Sequence, residues 1–173
     1  MSMLHLLRHA KSSAVEGIDD HQRPLSRRGR EAARRIGKHL SATIGAFDLV
    51  LCSSARRTRE TLDLALTEFS PRPRCIIEDG LYLAGRGKLI ERLRRLDPQD
   101  ANVLVIGHNP GIHELAIGLA DKSSAGFEEL VSGKFPTAAY ASFDIPIDWP
   151  IFGSSRHRLL VYATPKSLSG GRN

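Results

Sequence analysis

Short apolar runs alternate along this chain with stretches whose apolar residues recur every third or fourth position, the rhythms of buried strands and amphipathic helices. Met3 to Leu7 forms the first run, followed by a polar loop through Pro24. Ser26 is placed to cap a helix whose buried stripe is Ala32, Ala33, Ile36, Leu40 and Ile44. Asp48 to Cys52 reads as a buried strand and Arg56 to about Glu68 as a second helix, ended by Pro71 and Pro73. Arg74 to Ile77 and Lys88 to Leu96 repeat the pair. Asn102 to Ile106 starts it again, with Pro110 at the opening position of a helix reaching about Ala120. Beyond a loop bearing glycine and serine, Ala138 to Ile145 and Arg158 to Ala163 read as two more strands. This alternation predicts an α/β fold, with helices layered on a mostly parallel central sheet. Residues 1–164, without internal repeat or linker, are expected to form one domain, and the polar tail 165–173 to be disordered.

At 173 residues the chain can bury a core of its own, and 41% hydrophobic with 25% charged residues is ordinary for a globular protein. No apolar run approaches the roughly 20 residues of a membrane span. Met1 to Ser13 carries Arg8 and His9 where a secretion signal would be apolar, so a cytoplasmic location without a membrane partner is expected. Cys52 and Cys75 show no metal-ligand spacing and read as two buried thiols. The formal charge of +6 invites nucleic acid, an acidic surface or a phosphorylated substrate as explanations. Much of the excess lies in Arg23, Arg27, Arg28, Arg30, Arg34, Arg35 and Lys38. These fall mostly on the outer face of the helix over 26–44, which reads as a solvated face or, alternatively, as a docking face for an acidic partner protein. No base-stacking aromatics are interleaved there, so nucleic acid is not expected as a partner.

Three short motifs share one structural setting. Arg8-His9 follows the first strand, Ser53-Ser54-Ala55-Arg56-Arg57-Thr58 the second, and Gly107-His108-Asn109-Pro110-Gly111 the fourth. Ligands of open α/β sheets gather outside the carboxyl ends of the strands. The last two motifs also open helices, whose free N–H groups suit anions. Each motif alone is weak: an RH dipeptide is usually surface decoration, and GHNPG serves equally as a strand-to-helix turn. Together, two histidines and two or three arginines converging at one rim describe a phosphate pocket.

Set in order, the motifs resemble the histidine phosphatase superfamily, the phosphoglycerate-mutase-like group, and within it the small SixA-type phosphohistidine phosphatases. The resemblance runs from Leu6 to about Tyr162. It is carried by Leu6-Leu7-Arg8-His9-Ala10-Lys11-Ser12-Ser13, by Arg23-Pro24-Leu25-Ser26 with Gly29, and by the stretch from Ser53 to Thr61. Leu81-Tyr82-x-Ala84, the GHNPG loop and Phe135-Pro136-Thr137-Ala138 complete it. It implies a three-layer α/β/α sandwich on a six-stranded sheet in the order 3-2-4-1-5-6, strand 5 antiparallel, with no cap domain. It also implies His9 as a nucleophile that takes the phosphoryl group, Arg8 and Arg57 holding the non-bridging oxygens, and His108 donating to the same oxygens. Asn109 and Arg23 are further candidates for phosphate binding. Neither a metal nor any other cofactor is called for, because positioning and fixed charge can carry phosphoryl transfer here.

Many superfamily members place a carboxylic general acid after the third strand or an Asp beside the second histidine. Here the residue after His108 is Asn109, and Glu78 and Asp79, in the segment directly after strand three, fall slightly early. Both remain candidate acids. An alkoxide is a poor leaving group without a proton, whereas an imidazole, with a conjugate acid near pKa ~6.5, leaves with little help. A missing acid and a missing lid therefore favour phosphohistidine on a protein, such as a His-phosphorylated signalling domain. A small phosphate ester is the second substrate reading, and a phosphoprotein-binding module without turnover is the third. Among the remaining histidines, His5 reads as structural, His21 as within reach of the pocket, and His39, His113 and His157 as surface or helix residues.

Overall fold

The computed structural model describes residues 2–146 and 148–170. Its strands are β1 (Ser2–Arg8), β2 (Leu49–Ser53), β3 (Arg74–Glu78), β4 (Asn102–Gly107), β5 (Tyr140–Ile145) and β6 (Leu159–Ala163). Its α-helices are α1 (Arg27–Thr43), α2 (Arg56–Ala65), α3 (Arg86–Leu93), α4 (Gly111–Leu119), α5 (Phe127–Ser132) and α6 (Pro165–Ser169). The strands form one sheet in the order β3-β2-β4-β1-β5-β6, parallel except for β5, which runs antiparallel to both of its neighbours. The expected topology is therefore the observed one.

The inner strands of the sheet are buried on both faces, and the alternation of side chains along them divides the core in two. Leu4, Leu6, Leu49, Leu51, Val103 and Val105 point one way, onto Leu89 and Leu93 of α3 and Ile112, Leu115 and Leu119 of α4. Leu7, Val50, Cys52, Leu104 and Ile106 point the other way, onto Ile36 and Leu40 of α1 and Leu62 of α2. Helices on both faces make the three layers. Among the described residues, no helix is long and apolar enough to cross a membrane.

Two glycines let the elements around the sheet's carboxyl end close up. A Cβ on Gly29 would lie 2.0 Å from the Lys11 carbonyl oxygen, and one on Gly111 would lie 1.9 Å from that of Ala84. Only a residue without Cβ allows these approaches. The first presses α1 against the loop after β1, where Ser26 caps the helix by accepting from the Gly29 N–H at 3.0 Å. The second seats α4 against the segment that follows β3.

Some elements depart from the sequence reading. The loop after α4 contains the short helix α5. The tail expected to be disordered begins with α6, which Thr164 caps reciprocally with Ser167; residues 171–173 lie outside the described residues. Cys52 is buried, whereas Cys75, on the edge strand β3, is only half-buried, and both thiols are free. His157 is not a surface residue: it is buried, with its ring stacked on Phe152 at a centroid distance of 6.0 Å.

Candidate active site

The parallel register brings the ends of β1 and β4 level, Arg8 opposite Gly107, with β2 on the far side of β4. A cavity of about 280 Å³ opens at this rim. Arg8, His9, Arg57, His108, Asn109 and Arg23, all anticipated from the sequence, line it. Lys11, Ser12, Leu83 and Thr137 complete the wall, and among the described residues no carboxylate is part of it.

His9 is fixed from three directions. Its backbone N–H donates to Gly107 O at 3.1 Å, the following Ala10 N–H donates to Thr61 Oγ1 at 3.0 Å, and its ring Nδ1 lies 2.8 Å from Ala10 O. A carbonyl only accepts, so Nδ1 carries the proton and Nε2 keeps its lone pair. Burial, with the nearby guanidinium charges of Arg57, Arg8 and Arg23, pushes the His9 pKa down to about 4. At neutral pH the ring is thus an uncharged base.

His108 faces it with ring centroids 5.2 Å apart. Its Nδ1 is 3.4 Å from Arg57 Nη2 and its Nε2 is 2.7 Å from Ser53 Oγ. A guanidinium only donates, so Nδ1 accepts and Nε2–H donates to the serine. Burial first, then the neighbouring His9 and Arg57, lower its pKa to about 3. Arg57 is itself buried, donating to the Asp20 carbonyl at 2.7 Å and to Asp20 Oδ2 at 3.0 Å.

Arg8 donates through Nη1 to Phe135 O at 3.0 Å, and Asn109 Nδ2 donates to the same oxygen at 2.8 Å. Arg8 Nε and Asn109 Oδ1 are buried without a protein partner. Such groups are costly and rare; Asp144 Oδ1 and His157 Nε2, outside the cavity, are the others among the described residues.

Asp20 escaped the sequence reading. It ties together Arg57, Arg23 (Nη1 to Oδ1, 3.1 Å) and Tyr82, whose hydroxyl donates to Oδ2 at 2.5 Å. These bonds, Tyr82 first, hold its carboxyl well below the usual carboxylate range, so it is no proton donor at neutral pH. The only advance sign of it was an acidic pair, Asp19-Asp20, in a loop otherwise leading into arginines. His21 reaches the rim indirectly, with Nε2 2.9 Å from Ser54 Oγ.

The candidate acids do not come to the cavity. Glu78 is held away by Arg92 of α3, whose Nε lies 2.8 and 3.0 Å from its two oxygens, and Asp79 is exposed on the following turn. The other histidines stay outside as well. His5 is core, bonded to the Tyr140 hydroxyl at 2.6 Å and to Asn102 Oδ1 at 2.7 Å.

The two non-glycine residues with positive φ, among those described, flank the cavity: Leu83 at 51° and Ala138 at 59°. Leu83 is 52% exposed, so little burial offsets its left-handed backbone. Leu83→Gly is expected to raise unfolding stability by about 0.5–1 kcal/mol, read as a higher denaturant midpoint at unchanged slope. A loss of stability would mean that the leucine's contacts outweigh the strain.

Comparisons with known proteins point the same way. Residues 4–82 match the model of the histidine phosphatase superfamily (branch 1). An uncharacterised protein of Mycobacterium tuberculosis is 41% identical over 145 residues, covering 83% of this chain and 89% of that one. A structure from Nakamurella multipartitia, provisionally named phosphohistidine phosphatase SixA, superposes with a TM-score of 0.83 at 28% identity, over 95% of this chain and 96% of that one. A protein histidine phosphatase SixA solved with tungstate shares the fold, with a TM-score of 0.76 at 23% identity over 96% and 99% of the two chains. With the family model matched from β1 to Tyr82 and a relative this similar along most of its length, the chain belongs to the histidine phosphatase superfamily.

Proposed function

We propose that the chain hydrolyses phosphohistidine on a protein, without a metal, through a covalent phosphoryl group on His9. The observation that carries the reading is the Nδ1–Ala10 O bond at 2.8 Å, which leaves an unprotonated Nε2 in a cavity whose charge is positive.

The reaction divides into two displacements. In the first, the His9 Nε2 lone pair forms a bond to phosphorus as the phosphorus–nitrogen bond of the substrate breaks. The released imidazole takes a proton from solvent. In the second, water attacks phosphorus, the bond to Nε2 breaks, and inorganic phosphate leaves with His9 restored as the neutral base. Arg8 and Arg57 neutralise the three transferring oxygens, for which their forked, permanently charged groups are suited. The unpartnered Arg8 Nε–H supplies a further donor. His108 Nδ1 accepts from Arg57, so it must bind a proton before it can donate to a phosphoryl oxygen. A dianion entering the cavity supplies the field that favours this protonation.

The carboxylate-free wall favours a phosphoramidate over a phosphate ester, because an alkoxide leaving group needs a proton and no carboxylic acid among the described lining residues is set to give it. The test compares a histidine-phosphorylated protein with a panel of phosphate monoesters, with chelator present and no added metal. Preference for phosphohistidine, by about 10²-fold or more as expected when an acid is absent, supports the reading. Faster turnover of a sugar or nucleotide ester would reassign the substrate.

A further inference from the structure

Between α1 and α6, beside the catalytic cavity, runs an open groove of about 600 Å³. Its basic lining comes from Arg28 and Arg35 of α1 and Lys166 of α6, and Pro136, Thr137 and Thr164 are part of its wall. Thr137 lines both the groove and the catalytic cavity, so the two adjoin at that residue.

The cations are exposed, and their placement is not explained by the fold. Among the described residues, Arg28, Arg35 and Lys166 pair with no carboxylate, while Arg27 is taken by Glu31 and Arg30 donates to Leu25 O. Arg28 and Arg35 lie two helical turns apart and so share one face of α1. Moreover Arg27, Arg28 and Arg30 crowd the first turn of α1, which carries no acidic residue. That end of a helix already bears partial positive charge, and cations there are unfavourable. Neither packing nor ion pairing compensates for Arg28.

We infer that this groove docks an acidic face of the phosphorylated protein, presenting its phosphoryl group to His9. The inference rests on the phosphoprotein reading above and adds the surface and charge of the partner. Complementary charge of this kind acts mainly on encounter and orientation, and fades as salt rises.

The test uses two carrier proteins, one acidic and one basic, each phosphorylated on histidine with phosphoramidate, together with free phosphohistidine. The enzyme carries Arg28→Glu with Arg35→Glu, and separately the milder Arg28→Gln with Arg35→Gln. At low salt, kcat/KM for the acidic carrier is expected to fall about 10-fold or more in the Glu pair and less in the Gln pair. The loss should shrink at high salt. Free phosphohistidine should be turned over within about 2-fold of the parent by every variant, and thermal stability should hold or rise because the first-turn repulsion is relieved. An equal effect on all three substrates, or none on any, overturns the groove while leaving the phosphohistidine reading intact. Failure of the parent enzyme to use any of the three would overturn both.

Discussion

His9→Ala should abolish turnover, by about 10⁴-fold or more in kcat, as removal of a covalent nucleophile does in other enzymes. The geometry makes the expectation sharp. No second side chain of the cavity offers an unprotonated, unshared nucleophilic atom: His108 has both ring nitrogens engaged, with Ser53 and Arg57. Phosphate affinity should change little, since Arg8, Arg57 and Arg23 all remain. Rapid quenching of the parent enzyme with labelled substrate should trap an acid-labile, base-stable phosphoryl adduct, and the variant should trap none. Turnover surviving in the variant at more than a few per cent would transfer the nucleophilic role to another residue. A fully inactive variant that still bound phosphate would separate chemistry from recognition.

The second large effect is on stability and pH. His5, His9 and His108 are buried as neutral rings, with pKa values lowered mainly by burial to about 4, about 4 and about 3. Their unfolded values lie near ~6.5. The unfolded chain therefore binds more protons than the folded one throughout the interval between. Stability from these groups is fully present above pH ~6.5 and is lost as pH falls toward the folded values, at about 1.4 kcal/mol per pH unit for each histidine. Unfolding free energy should thus fall by several kcal/mol between pH 7 and pH 5. His9→Ala should make that slope shallower by close to one proton, although the variant is inactive. Urea unfolding at pH 7, 6 and 5 measures both. A flat profile would mean that the buried imidazoles retain ordinary basicity, and the argument for a neutral nucleophile in acid would go with it.

What was legible in the sequence followed from repetition and from fixed chain geometry. The first, second and fourth strand runs each ended one residue before a motif, so Arg8, His9, Arg57 and His108 were bound to meet once those strands lay parallel. Side-chain direction off the regular elements was not legible. Glu78 sits at the end of β3 and could equally have turned inward. Arg92, a full helix later, turns it outward, and nothing local to Glu78 announces that pairing. Asp20 lies in a loop without period, where no pattern marks which carboxylate folds back onto an arginine. The short helices α5 and α6 span fewer than two turns, too little for a periodic stripe to accumulate, and α6 rests on the Thr164–Ser167 cap instead. His157 was misread because its burial comes from Phe152 and a bridge to Ala120, both distant or irregular in sequence.

The position of β1 has a bearing on how the enzyme comes into being. The strand that carries Arg8 and leads into His9 precedes every other strand of the sheet in sequence, yet it is flanked by β4 and β5, whose residues begin only at Asn102 and Tyr140. Until Tyr140–Ile145 has emerged, β1 lacks its antiparallel neighbour, and Phe135, whose carbonyl holds Arg8, has only just preceded it. The growing chain thus carries a histidine with no pocket around it for most of its synthesis. The pairings that build the pocket are therefore distant ones, a class of contact that forms slowly.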